Sequence, residues 1–191
     1  MHKVLLILGL LLRGPLHGYE LYRIIEAHGE LYADVKKANL YYLLDRLADE
    51  GDLEVEIESG AQGPRRERLV YTLTNQGREH FLKLLREILL TYEVIHTSVD
   101  TAIVFLSHLP LAEGIELLEE RRRIVAARRA QFPPLPSTDT APLVRISIDH
   151  MVSLIDTELA WIDRSIAYLS SLNQEGRRED PGLHTEAFLD L

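Results

Sequence analysis

The sequence predicts a mainly α chain of the α+β type, with a short-element head followed by long helices. Three observations predict it. Apolar residues recur at helical spacing in three short stretches before residue 52. The period then drops from 3.6 to 2 over residues 52–74, as in paired strands. From Phe81 onward, apolar residues fall in seven-residue patterns, which suit helices that pack on other helices. The chain has 191 residues, of which 46% are apolar and 27% charged, enough for one moderate or two small domains with a soluble surface. Its formal charge of −9 argues against non-specific coating of nucleic acid, so any DNA contact needs local basic patches.

The opening run, Val4 to Leu12, is too short to span a bilayer and is followed by Arg13-Gly14-Pro15 rather than a small-residue cleavage site. It reads as a buried first helix, not a leader, and no membrane partner is expected. A second helix is expected over "YELYRIIEAHG", with Leu21, Ile24 and Ile25 on one face and Gly29 as its stop. In "KKANLYYLLDRLADEG" a third helix places Leu40, Leu43, Leu44 and Leu47 in one apolar stripe and ends at Gly51. "DLEVEIES" alternates Leu53, Val55 and Ile57 with glutamates, and "ERLVYTLT" alternates Leu69, Tyr71 and Leu73 with Val70 and Thr72. Gly60, Gly63 and Pro64 between them predict a hairpin with a longer loop. Three helices and a hairpin describe a winged helix-turn-helix.

Thr74 is the expected N-cap of the next helix. Phe81, Leu85, Ile88, Tyr92, Ile95, Val99, Ala102 and Leu106 form a heptad seam that Pro110 breaks. A charged helix follows over 112–132, then a proline-rich loop over 133–142. The last helix, 143–171, carries a second seam through Ile148, Val152, Ile155, Leu159, Ile162, Ile166 and Leu169. Such seams can pack within one chain or on a second copy, and a homodimer is the expectation. Ile95, Val99, Ile155, Leu159, Trp161, Ile162 and Ile166 are its expected interface. Trp161, Tyr168 and Tyr92 read as core packing, with an effector pocket at a dimer interface as the alternative. The boundaries are 1–79 for the head, 80–172 for the helical domain and 173–191 for a flexible tail.

The residues suited to DNA lie on the third helix and the wing. Lys36 and Lys37 sit at the helix start, where free N–H groups and the helix dipole favour phosphate. Asn39, Tyr42 and Arg46 face away from the leucine stripe and can bond to bases or backbone. Arg65, Arg66 and Arg68 put three cations into four positions at the hairpin tip, where wings meet the phosphate backbone or minor groove. The alternative is a solvated helix face and an edge strand kept soluble by charge. Residues 1–74 hold nine Lys/Arg against twelve Asp/Glu, a net charge of −3, so a lone head should bind DNA poorly. Two heads on one dimer would gain by effective concentration and would read half-sites about 34 Å apart, or a multiple of that, on a pseudo-palindrome.

Catalytic readings find no support. No cysteine is present, which excludes a disulfide framework, a thiolate metal site and a cysteine nucleophile. The eight histidines are scattered, and no HExxH, P-loop, GxGxxG or GxSxG motif occurs. No catalytic residue, metal or cofactor is therefore expected.

"HGYEL" at 17–21, "NLYYLLDRLADEG" at 39–51 and "PRRERLVYTLTNQGRE" at 64–79 resemble the PadR family of bacterial transcriptional regulators. The helical half resembles that family's dimerisation domain more loosely. The resemblance implies a cytoplasmic homodimeric repressor that binds a pseudo-palindromic operator in double-stranded DNA. For some members it also implies a small hydrophobic inducer. Carried onto matching positions, it adds Tyr19 and Tyr41 to Asn39 and the wing arginines as DNA-binding residues. Tyr42 stands where the family has proline, and Lys36-Lys37-Ala38 precede Asn39 where glycine is common, so the start of the helix departs from the pattern. The whole reads as a mainly α (α+β) fold: an N-terminal winged helix-turn-helix followed by a helical, coiled-coil-like dimerisation domain. A winged helix used for protein–protein contact is the alternative function.

Overall fold

The apolar run at the start is a helix, α1 (His2–Leu11), with Val4, Ile7, Leu8 and Leu11 buried. It belongs to a computed structural model that describes residues 1–32, 35–58, 69–94, 97–132, 134 and 142–174, with the side chains of 28–32 and 173–174 left aside. The chain divides into two compact units, Met1–Val94 and Ile95–Leu191.

In the first unit, α1 is followed by a two-residue strand β1 (Leu16–His17) and by α2 (Gly18–Tyr32). The second helix runs through Gly29, the expected stop, to Tyr32. The third, α3 (Lys37–Asp49), has Lys36 as its N-cap. Strands β2 (Leu53–Ile57) and β3 (Leu69–Leu73) pair antiparallel, Leu53 opposite Leu73 and Ile57 opposite Leu69. β3 also pairs with β1, giving the sheet order β1-β3-β2. The architecture is that of a winged helix-turn-helix. The leucine stripe of α3 is buried as its spacing requires. The alternation in β2 is followed only at its start: Leu53 is buried, while Val55 and Ile57 run out beyond the core to solvent.

Tyr41 corrects the sequence reading. It is 7% exposed and sits in the head core with Leu40, Leu44 and Tyr71. Its ring lies against Gly18, where a Cβ would come within 2.8 Å of it. The glycine of "HGYE" thus makes room for a core aromatic, and Tyr41, expected among the DNA-binding residues, packs in the core behind α3.

The end of α3 is tied to the start of α4 (Asn75–Leu90) by a dense polar junction. Gly51 takes φ of 81°, and the Asp52 N–H donates to Leu47 O at 2.9 Å while that of Gly51 donates to Ala48 O, a Schellman stop for α3. Thr74 caps α4 by accepting from Gly77 N–H at 3.0 Å, and its own hydroxyl donates to Gly51 O and Asp52 O. Gln76 donates to Glu50 O at 2.6 Å. The Asp52 side chain, 3% exposed, pairs with His80 Nδ1 on α4. A Cβ on Gly77 would lie 2.2 Å from Asp52 O, so only glycine permits the approach.

The remaining face of α4 fills the head: Leu84 is buried in the core cluster, and Phe81 packs against it. This corrects the continuous seam. α4 ends at Leu90, Thr91 turns to an extended conformation, and a separate helix, α5 (Ser98–Val104), starts later. Thr97 and Asp100 define that new start, the Asp100 carboxylate accepting from Thr97 N–H at 2.9 Å and from its hydroxyl at 2.8 Å. Phe81 therefore serves α1 and the head, and α4 falls in the first compact unit, where the sequence reading began the helical domain at residue 80.

In the second unit, α5 leads through a short 3₁₀ turn (Leu106–His108) to α6 (Leu111–Ala130) and, after the proline-rich segment, α7 (Pro142–Gln174). α6 and α7 pack antiparallel: Arg121 pairs with Glu158, Arg122 with Asp163 and Arg129 with Asp156. The charged run of α6 is thus a set of bridges to α7, not a merely solvated face. Leu118, Ile162, Leu169 and Leu172 are buried between the helices, with Trp161 and Ile166 packed against them.

Two stability predictions come from the head. His80→Ala leaves a buried carboxylate unpaired and should cost about 3 kcal/mol in urea unfolding followed by far-UV circular dichroism; an unchanged midpoint would remove the pair from the junction. Tyr41→Ala should cost about 3–5 kcal/mol in the same measurement. Tyr42→Ala, at a position 64% exposed, should stay within about 0.5 kcal/mol. Equal losses for the two tyrosines would contradict the packing.

Candidate nucleic-acid interface

The outward face of α3 is built by the packing of its inward face. With Leu40, Leu43, Leu44 and Leu47 against the core, Asn39, Tyr42 and Arg46 follow one another at steps of three and four on the opposite side. Tyr42 projects into solvent. Asn39 is partly exposed, and its amide carries both a donor and an acceptor, the pair a base edge can engage. Arg46 lies one turn before Glu50 and approaches its carboxylate at 3.4 Å, so this guanidinium is shared between the helix end and any outside acceptor.

The start of α3 is cationic. Lys36 and Lys37 are both exposed, and Lys36, an extended N-cap, supplies no side-chain acceptor to the first turn. The first-turn N–H groups thus face outward with two ammonium groups beside them, an arrangement that favours an anion. The Lys37 ammonium lies 5.9 Å from the centroid of the Tyr22 ring on α2. The Tyr22 hydroxyl donates to Glu26 at 3.0 Å, one turn on. That bond, with the charge of Glu26 beside it, raises the Tyr22 pKa and keeps the phenol protonated. The sequence reading gave Tyr22 no role; its one legible signal is the Tyr–Glu spacing of four on α2.

Tyr19 stands at the first turn of α2, 41% exposed and stacked on His17 with centroids 5.8 Å apart. The His17 backbone N–H donates to Glu20 at 2.9 Å, fixing the turn into α2, and its Nε2 lies 3.5 Å from Glu58 at the base of the wing. The start of α2 and the base of the hairpin are thereby joined through His17. Arg65, Arg66 and Arg68, expected at the hairpin tip, lie outside the described residues, as does Ile95.

The expected interface between copies is rearranged by packing within the chain. Ile162 is fully buried between α6 and α7 and is not available to a second copy, and Trp161 and Ile166 pack against the same cluster. Val99, Ile155 and Leu159 remain partly exposed. Tyr92 and Tyr168, read as core, face solvent because neither the end of α4 nor the outer side of α7 is covered by described residues of its own unit. A cavity of about 700 Å³ in the second unit is walled by Val99, Val125, Leu154, Ile155 and Trp161, with Arg164 among its polar groups. Among the described residues no cluster of three metal-ligating side chains occurs, and no helix is long and apolar enough to cross a membrane.

Comparison with known proteins places this geometry. Residues 7–83 match the family model described as the transcriptional regulator PadR-like family. No curated protein matches the chain. Among solved structures, PadR from Bacillus subtilis in complex with operator DNA is 19% identical, with a TM-score of 0.68 over 87% of this chain and 98% of that one. The same protein in complex with p-coumaric acid is 18% identical, with a TM-score of 0.66 over 88% and 97%. The PadR-like transcriptional regulator BC1756 from Bacillus cereus is 18% identical, with a TM-score of 0.61 over 88% and 98%. At these identities the structures show the shared fold. The sequence match over the head goes further: the winged helix-turn-helix of this chain carries a PadR-like transcriptional regulator family domain over residues 7–83.

Proposed function

We propose that the chain is a cytoplasmic, homodimeric repressor that reads a pseudo-palindromic operator and is released from it by a small hydrophobic effector. The observation that carries the reading is the outward face of α3, with Lys36 and Lys37 at its start and Asn39, Tyr42 and Arg46 along it, in a head of the PadR-like family. The lysines meet phosphate and Asn39 and Arg46 read base edges. Tyr19 adds a contact from the start of α2, and Arg65, Arg66 and Arg68 add the wing. The solved Bacillus subtilis PadR complex with operator DNA supports this assignment by analogy of fold.

Pairing of two copies is supported by charge and by surface. The head carries net −3 over residues 1–74, so one head holds a duplex weakly. The second unit leaves Ile124, Leu154 and Ile146 exposed beside the partly exposed Val99, Ile155 and Leu159, an apolar surface suited to a second copy. The effector is supported by the cavity beside Trp161, whose volume suits a small organic molecule, and by the p-coumaric acid complex of the Bacillus subtilis protein.

Selection of bound fragments from random duplex DNA, followed by anisotropy titration over a salt series, tests the reading. A palindromic consensus with half-sites about 34 Å apart, or a multiple of that, is expected; failure to enrich any sequence, with the protein a monomer in sedimentation, would favour a winged helix that binds protein. Arg66→Ala should weaken binding to selected and random duplexes alike and make the salt slope shallower by about one. Asn39→Ala should cost about 1–3 kcal/mol on the selected duplex and relax base preference. Equal losses on both duplexes would refute base reading by Asn39.

A further inference from the structure

We propose that Tyr22 is a positioning residue for DNA: its ring holds the Lys37 ammonium at the entry of the recognition helix, aimed at a backbone phosphate. The inference rests on the reading of α3 as the DNA-facing helix and adds to it a residue that itself touches no nucleotide.

The argument begins with where Lys37 stands. It is the first residue of α3, so its four-carbon stem has no preceding helical turn to lie on. A free lysine there would spread its charge over many rotamers, each costing entropy to collect when a phosphate arrives. Tyr22 removes part of that freedom. It is partly buried, packed against the head core, so its ring is fixed. The ammonium over that ring gains from the negative face of the π-system. Glu26 strengthens it: a phenol that donates to a carboxylate shifts electron density into its ring. Tyr22, Glu26 and Lys37 thus form a chain from carboxylate to ring to cation. Lys36, one residue earlier and also exposed, has no such contact among the described residues. Among the described residues the two adjacent lysines therefore differ: Lys37 alone stands over a ring.

The cation–π contact leaves the outer side of the ammonium to solvent. A phosphate can bind there without displacing the ring, because the ring takes up one side of the cation and donates no hydrogen bond to it. Glu26 accepts the phenol hydroxyl of Tyr22, and no ion pair between Glu26 and Lys37 occurs among the described residues.

Anisotropy titrations of the full chain against a selected and a random duplex, over a salt series, test the proposal. Lys37→Ala should make the salt slope shallower by about 0.9 on both duplexes, the loss of one phosphate contact. Tyr22→Leu should weaken both by about threefold, the scale of an exposed cation–π contact. Tyr22→Phe, which keeps the ring, should restore most of that loss. The double variant Tyr22→Leu/Lys37→Ala should bind no worse than Lys37→Ala alone. Losses that multiply in the double variant, or a Tyr22→Phe protein as weak as Tyr22→Leu, would overturn the positioning role. If Lys37→Ala leaves the slope unchanged, the assignment of the α3 entry to phosphate fails, and this proposal with it. A ring-current readout on the wild-type protein stands apart from any folding defect of a variant: the Lys37 Cε protons should resonate upfield of ordinary lysine, and a normal position would sink the idea.

Discussion

The head hangs on the junction at Asp52. A buried carboxylate is costly unless it is paired, and here its partner, His80, comes from a different helix. Around that pair, α3 ends, β2 begins and α4 is capped within a few residues: Gly51 turns the chain, Thr74 bonds to both Gly51 and Asp52, and Gln76 reaches Glu50. Each of these bonds fixes one direction of the chain. Together they set the angle at which the recognition helix leaves the core, the origin of the wing and the path of α4. Gly77 permits the whole arrangement, since any side chain there would meet the backbone of Asp52.

The electrostatic problem of the molecule is solved locally rather than globally. A chain of formal charge −9 repels a duplex at long range. Against this the sequence concentrates cations in two short stretches: Lys36 and Lys37 at the start of α3, and Arg65, Arg66 and Arg68 within four positions. The glutamates of β2 alternate with its apolar residues along the same strand, so acidity is confined to one face of the sheet. In the second unit the arginines of α6 are largely committed to α7, which leaves them to hold the helical pair together.

Much of the head was legible in the sequence because its signals are local. The leucine stripe of α3 and the change of period at residue 52 gave the helix-turn-helix and the hairpin, and the three motifs gave the family. What was not legible depends on neighbours distant in sequence. Tyr41 looks like an outward tyrosine beside Tyr42, yet Gly18 opens a space for its ring and draws it inward. The seam from Phe81 to Leu106 is regular in one dimension, but α1 takes Phe81, and the Thr97–Asp100 cap starts a new helix where the pattern demanded continuity. Ile162 fitted a surface for a second copy as well as it fits α6, and periodicity cannot choose between the two. Tyr22 gave no sign of its place beneath Lys37, because nothing in its own helix points across to α3.

The contact between Gly77 and Asp52 has a mechanical meaning. Two backbones that touch without an intervening side chain have no soft material between them to absorb a displacement. α4 spans 16 residues, about 24 Å, and is held at its start by that contact and its polar surround and along its middle by Phe81 and Leu84 in the head core. A push on the exposed turn at Leu89 and Leu90 is therefore met first by that apolar packing, and whatever passes it reaches the close of α3 undamped at the glycine.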